Sequence, residues 1–190
     1  MSYLWGRMRG MEIRVVHHGS RASAAASATV VDVTSRGPHP WVRFSPFYPH
    51  GGIPVPLSPG VTATSVEAIW QALKVFATAD VDRTLLQATR MTGLKRTANR
   101  YGQVRGHRAG LNSPDLLDYE SARRRIYLPA YRHVLDHNLT PELAQLRRLA
   151  VAGPLTLLDY TTNGDVADLS KPLSHAALIR LHLLGEWPAG

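Results

Sequence analysis

The chain has 190 residues, of which 44% are hydrophobic and 19% charged, and it carries a net charge of +8. That length and balance imply one domain with its own core and exclude a disordered chain. Cysteine is absent, which excludes disulfides, thiolate nucleophiles and zinc sites built on sulfur. No apolar run approaches the roughly 20 residues of a membrane span, and Met1–Gly10 lack the apolar core of a signal peptide. A soluble, cytoplasmic protein without membrane contact is expected. The positive balance suits polyanionic partners such as nucleotides or nucleic acid.

Residues 1–28 form a weakly patterned N-terminal segment, and 29–190 read as a single domain. Met11 is a candidate start that would make the first ten residues dispensable. Ser20 to Ala28 is a small-residue tract, read as a helix edge or loop. Thr29–Thr34 alternates β-branched residues and predicts a strand. Trp41–Ser45 reads as a second strand after the turn at 36–40. The Pro/Gly density of 46–62 predicts a long, stiff loop, and loops of this length are often functional.

The next segment predicts a helix over 65–77. Thr64 and Glu67 fit a T-x-x-E capping box. Glu67, Trp70, Gln71 and Lys74 follow i, i+3, i+4, i+7 and so share one helix face, opposite an apolar stripe of Val66, Ile69, Leu73 and Phe76. A carboxylate, an indole, an amide and an ammonium on one face suit a pocket for a polar aromatic ligand. In such a pocket Lys74 would lose its proton more easily and act as a nucleophile, while Glu67 would move protons or offset positive charge.

A second helix is predicted over about 82–92. From Arg83 to Pro114 there is no acid but there are seven cations, Arg83, Arg90, Lys95, Arg96, Arg100, Arg105 and Arg108, with His107 among them. This stretch reads either as a solvated basic surface or as a phosphate-binding segment. Its portion from Gly93 to Gly110 has no clear helical or strand pattern. Asp115–Leu128 has helical periodicity, Pro129 ends or kinks it, and Tyr131–His137 continues it. Glu120 and Arg124 form an ordinary i,i+4 surface pair. Thr140-Pro141 predicts a capped helix over 141–152 closed by Gly153. Leu155–Leu158 is a short buried strand. A polar loop from Asp159 to Pro172 leads to a last helix over Ser174–Leu184, which Gly185 ends, with Ser174 as cap and His175 structural. The sum is an α+β, mostly helical single domain with a few short strands.

Two further constellations stand beside the helix face. Arg43-Phe44-Ser45 and the following Phe47 and Tyr48 place aromatics for base stacking and a cation for phosphate in a proline-stiffened loop. The loop after the buried strand offers Asp159, Asn163 and Asp165, and ligands often gather at strand ends of mixed folds. Asn-Gly-Asp is also simply good turn chemistry. No HExxH, GxSxG or P-loop pattern occurs. His17-His18 is too isolated to argue for a metal, and no cofactor is implied.

Phe44-Ser-Pro-Phe-Tyr48 followed by Ser65-Val-Glu-Ala-Ile-Trp-Gln-Ala-Leu-Lys74 resembles, in order and spacing, the aromatic-loop and Glu…Gln…Lys motifs of the NADAR superfamily of N-glycosidases. Asp118-Tyr-Glu-Ser-Ala-Arg123, which contains Tyr119, is similar to that family's Asp-Trp-Glu helix start. Leu157-Leu-Asp-Tyr-Thr161 stands where the family has a late strand end. The likeness spans roughly 41–184. Ala68 replaces the family's histidine, its Trp-Gly-x-Gly segment is missing, and the basic, glycine-spaced 93–110 marks a divergent branch. The resemblance implies a compact, mainly helical fold and cleavage of N-glycosidic bonds, in phosphorylated ribosylamines or in ADP-ribose attached to guanine. It implies Glu67 and Lys74 at the active centre, with Trp70 and Gln71 in the pocket and a lysine able to form a Schiff base. Asp159 is the acidic residue available nearby. Arg43, Lys95 and Arg96 would then bind phosphate. A metal-independent N-glycosidase is the leading expectation. The alternatives are a non-catalytic basic nucleic-acid-binding protein and a nucleotide-sensing module that has lost turnover.

Overall fold

Three short apolar runs build the first sheet: β1 (Ile13–His17), β2 (Thr29–Asp32) and β8 (Leu155–Asp159), in the order β1-β8-β2 with both pairings parallel. Every residue of β8 is buried, as expected of the central strand of a parallel sheet. The computed structural model describes residues 11–20 and 29–189. The readings for the first ten residues and for the tract at 21–28 lie outside them. Among the described residues no helix is long and apolar enough to cross a membrane. The fold is a mixed α+β domain organised on one connected core.

The predicted strand at 41–45 is instead a 3-10 helix over Trp41–Phe44. The prolines explain the change. The carbonyls of Pro38 and Pro40 accept from the Val42 and Arg43 amides, which closes tight turns where a ladder would need extended chain. The proline-rich loop that follows stays irregular apart from one small antiparallel pair, β3 (Ile53–Pro54) with β4 (Thr62–Ala63).

Helix α1 covers Val66–Leu73 and buries Val66, Ile69 and Leu73. Its cap is Ser65, whose hydroxyl accepts from the Ala68 amide at 3.1 Å. Thr64 donates to the Ala88 carbonyl at 2.6 Å, so the T-x-x-E pattern does not act as the capping box. The helix is shorter than the pattern predicts. At Lys74 the backbone turns extended (φ −70°, ψ 130°) and begins β5 (Lys74–Phe76), which pairs antiparallel with β6 (Val104–Arg108); β6 in turn pairs with β7 (Leu116–Leu117). Val75 and Phe76 favour strands, and the ladder supplied by the basic segment outweighs helical periodicity.

The helix predicted over 82–92 is a 3-10 turn, Arg83–Gln87, capped by Asp82, and α2 is the single turn Ala98–Tyr101. A long helical stretch begins at α3 (Tyr119–Ala122), where Asp118 accepts from the Ser121 amide at 2.7 Å. It continues through a π-helical turn (Arg123–Tyr127), α4 (Leu128–His133) and a second π turn (Val134–Asn138). The wide turn immediately before Pro129 accommodates the missing donor, so the proline neither ends the helix nor breaks it. Helix α5 (Thr140–Ala152) starts with Pro141 in its first turn and ends at Gly153, but no side chain caps it, so Thr140 is not the predicted cap. Helix α6 (His175–Leu184) is capped by Ser174 and ends at Gly185 in the left-handed conformation (φ 72°), both as predicted.

Gly106 crosses β7 where no side chain fits. Its φ is +144°, and a Cβ there would lie 2.5 Å from the Leu117 carbonyl oxygen. Gly106→Ala is expected to cost about 2–3 kcal/mol of unfolding free energy through strain and overpacking, read by urea denaturation.

Candidate active site

A cleft of about 760 Å³ opens where the C-terminal ends of β1 and β8 and the start of α6 meet α1 and the face of the long helix. Ends of parallel strands leave such a crevice because the chain must turn away there. Glu67, Trp70 and Gln71 project into it from one face of α1, as the spacing predicts. Lys74 reaches it from the first residue of β5 rather than from the helix. Ser45, Phe47, Lys95, Arg96, Tyr119 and Asp159 also line it. Ten of the fifteen sequence-derived site residues therefore share one cavity.

Glu67 is buried (7% exposed). Gln71 orients it, donating to one carboxylate oxygen at 2.8 Å while its own oxygen accepts from the Arg96 amide at 2.9 Å. Burial pushes the Glu67 carboxyl above the usual range, against the hydrogen bond from Gln71 and the charges of Lys95 and Lys74. Burial likewise lowers Lys74, against the Glu67 charge and with the help of Lys95 and Arg96. Acid and amine are thus both shifted toward their neutral forms, the condition under which a lysine becomes nucleophilic.

Trp70 is the aromatic centre of the cleft. His107 stacks on it with centroids 3.8 Å apart, Tyr127 meets it edge-on at 5.8 Å, and Tyr119 lies at 6.0 Å. His107 is the cross-strand partner of Lys74. Desolvation, then the Lys74 charge, takes its pKa down to about 3, so this member of the basic run is a neutral core residue. Lys95 sits over Phe47 at 5.7 Å from the ring centroid and remains available to a ligand.

Arg96 lines the cleft but is committed. Its guanidinium donates to the carbonyls of Lys74 (2.6 Å), Asp80 (2.7 Å) and Gln71 (3.2 Å), which fixes the junction between α1 and β5. It is a structural rivet and not the predicted phosphate ligand. The rest of the basic run is spread over different jobs. Arg83 bonds Leu111 and Asn112, Arg108 pairs with Asp80, and Arg100 packs on Tyr101.

Asp159 needs a similar correction. Its Oδ1 accepts from the Tyr160 amide (2.7 Å), and Oδ2 from the Ser174 hydroxyl (2.7 Å), the His175 Nδ1 (3.0 Å) and the Ala176 amide (3.3 Å). Burial would raise this carboxyl, but the His175 charge and these donors bring it below the ordinary range. A carboxylate so fully engaged anchors α6 and positions the cleft floor; it is no free catalytic base.

Five predicted residues lie outside the cleft lining. Arg43 pairs with Glu142 and donates to the Asn138 carbonyl. Phe44 is fully buried beneath Trp41. Tyr48 packs against His39 and His50. Asn163 braces its own loop by donating to the Asp168 and Lys171 carbonyls, and Asp165 caps the turn at Ala167. Among the described residues no group of three His, Asp or Glu could hold a metal ion. Sequence reasoning missed Arg123 and Tyr127, which also line the cleft. The signal was available: Tyr119, Arg123 and Tyr127 recur every four residues and so face one side of a helix.

The Asp159–His175 pair fixes a stability window. His175 is depressed by burial but raised overall by Asp159 and the Val33 carbonyl. Its contribution is therefore complete below the ordinary value of 6.5 and is lost as pH rises through the folded value. Asp159's contribution is present above the ordinary 3.8 and is lost as pH falls through the lowered folded value. Urea denaturation between pH 3 and 9 is expected to give stability that declines on both sides of that window. Asp159→Asn should cost about 3 kcal/mol or more, because it strands a buried cation. Glu67→Gln should leave stability equal or higher, since it removes a carboxyl that burial disfavours in its charged form.

No curated protein and no solved structure matches this chain. A family model does, described as a family of unknown function (DUF6939), over residues 15–179. That span runs from within β1 to within α6 and includes every cleft residue named above, and the chain belongs to the DUF6939 family.

Proposed function

We propose that this protein is a hydrolase that cleaves the N-glycosidic bond of a phosphorylated nucleoside or ribosylamine, or of an ADP-ribosylated or modified nucleobase. The observation that carries this reading is the buried Glu67 and the half-buried Lys74 lining one cleft beside Trp70, each acting on the other's charge and each shifted toward neutrality by burial. Cleavage of an N-glycosidic bond builds positive charge at the sugar C1′, as in O-glycoside hydrolysis. Glu67 in its charged form offsets that charge or takes a proton from the attacking water. The water oxygen then bonds to C1′ while the departing nitrogen gains a proton. In the covalent route the neutral Lys74 amine bonds C1′ as the C1′–N bond to the base breaks, and the proton shed by the amine passes to the departing base nitrogen. Opening of the C1′–O4′ bond gives the Schiff base that borohydride would trap, and water adds to C1′ to release the sugar and regenerate the amine. Trp70 and Phe47 offer faces to the base, and Lys95 and Lys171 are the cations left for phosphate.

The test is release of free base, followed by chromatography and mass spectrometry. The panel comprises N-ribosyl phosphates, NAD, ADP-ribosylated guanosine and ADP-ribosylated DNA, with borohydride present to trap a lysine adduct. Wild-type protein is expected to release base from at least one. Glu67→Gln and Lys74→Ala should each reduce release by roughly 100-fold or more while keeping the wild-type melting temperature within a few degrees. Full activity in both variants would sink the reading. A trapped adduct lost in Lys74→Ala selects the covalent route.

A further inference from the structure

Tyr127 and Tyr131 stack one turn apart on the long helix, with ring centroids 6.1 Å apart and planes 21° from parallel. They are otherwise unlike. The Tyr131 hydroxyl donates to the Phe44 carbonyl at 2.8 Å and is wholly buried. The Tyr127 ring is also packed against the core and edge-on to Trp70, yet among the described residues no side chain or carbonyl accepts from its hydroxyl. That hydroxyl is not a sealed orphan. Tyr127 lines the cleft, and the charges of both Glu67 and Asp159 act on it.

Tyr127 is the last residue of the π-helical turn Arg123–Tyr127. A π turn advances the following side chains relative to α spacing, and such turns recur at functional sites. Arg123 lies against the Tyr119 ring, its Cζ 4.4 Å from the centroid, and Tyr127 lines the cavity. A polar group half-buried without a protein partner is worth keeping only if something else completes it.

We propose that Tyr127 is a ligand-binding residue whose hydroxyl donates a hydrogen bond to an oxygen of the pentosyl unit lodged between Glu67 and Asp159. The pentosyl identity rests on the N-glycosidase reading above. The donor role follows from the neighbours. Glu67 and Asp159 are acceptors, and Asp159 already takes four protein donors, so a sugar oxygen in this span needs a donor from another quarter. Burial, then the Glu67 and Asp159 charges, keeps the phenol protonated far above neutral pH. It therefore holds its proton and positions the sugar, leaving proton transfer to other groups.

Tyr127→Phe removes the hydroxyl alone, and Tyr131→Phe is its internal control. Binding of D-ribose 5-phosphate and of ADP-ribose to the full chain is measured by titration calorimetry, together with melting temperatures. Tyr127→Phe is expected to weaken both probes by about tenfold with an unchanged melting temperature, because no protein hydrogen bond is lost. Tyr131→Phe should lower the melting temperature and leave both affinities unchanged. Wild-type affinity in Tyr127→Phe, or a drop in its melting temperature like that of Tyr131→Phe, overturns the proposal alone. Wild-type protein that binds neither probe overturns it together with the pentosyl reading.

Discussion

Asp159 stands at the end of the central strand and joins three parts of the molecule through one carboxylate. It holds the Ser174 hydroxyl and the Ala176 amide at the start of α6, and through His175 it reaches the Val33 carbonyl just beyond β2, 2.8 Å from the imidazole Nε2. Both histidine nitrogens face acceptors, so the ring serves as a cation with two donors. A buried ion pair is weak evidence for stability in itself, but this one has every polar atom satisfied and little freedom to rearrange. It fixes where the last helix enters the sheet, and thereby where the cleft has its floor. The site's geometry depends on this tie more than on any residue that would touch a ligand.

Two arginines extend the same logic to the walls. Among the described residues neither Arg96 nor Arg123, both buried, has a carboxylate partner, and both guanidinium groups donate to backbone carbonyls. Arg96 ties the α1–β5 junction. Arg123 ties the loop after β8 by donating to the carbonyls of Val166, Asp168 and Lys171. Carbonyl dipoles solvate a guanidinium without cancelling its charge, so the cleft keeps a positive field even though neither arginine is free to bind. Lys95 and Lys171 are left as the cations of the lining, while burial makes Lys74 less basic.

The parts legible in the sequence are those set by local chemistry. The Ser174 and Gly185 helix ends, the buried strand at 155–158, the proline-stiff loop and the Glu67–Trp70–Gln71 face follow from residue type and spacing. The parts that were not legible are settled by distant pairing. Lys74 reads as helical until β6 supplies a ladder for Val75 and Phe76. Trp41–Phe44 reads as a strand until the neighbouring prolines close it into turns. The run from Arg83 to Arg108 looks like one basic stripe because charge is visible in a sequence and partners are not; Asp80, Asn112 and a set of carbonyls divide it among separate tasks. Asp159 was found as a residue of the site but its role was not, since four donors from two segments cannot be read from its neighbours in the chain. Tyr127 carries a signal in its four-residue spacing from Tyr119 and Arg123, but Arg124, Arg125 and the Glu120–Arg124 pair make the segment read as ordinary surface.

The break at Lys74 carries a consequence for the chemistry. Had α1 continued, Lys74 would stand nearly two turns from Glu67 on one rigid rod. Instead the amine comes from a strand whose position is set by β6 and Arg96, so the two groups can approach from different elements and need not share one axis. Their charges act on each other while burial opposes both, and for Lys74 burial outweighs the Glu67 charge so that the amine is less basic than a free one. A ligand phosphate placed against Lys74 would stabilise its ammonium form and remove its nucleophilicity. Under the proposed N-glycosidase reading, an amine nucleophile here requires the anionic end of a ligand to sit toward Lys95 or Lys171, with the glycosidic carbon between Glu67 and Lys74. Such spacing makes phosphate position, rather than phosphate affinity, the property that separates a substrate from an inhibitor of this site.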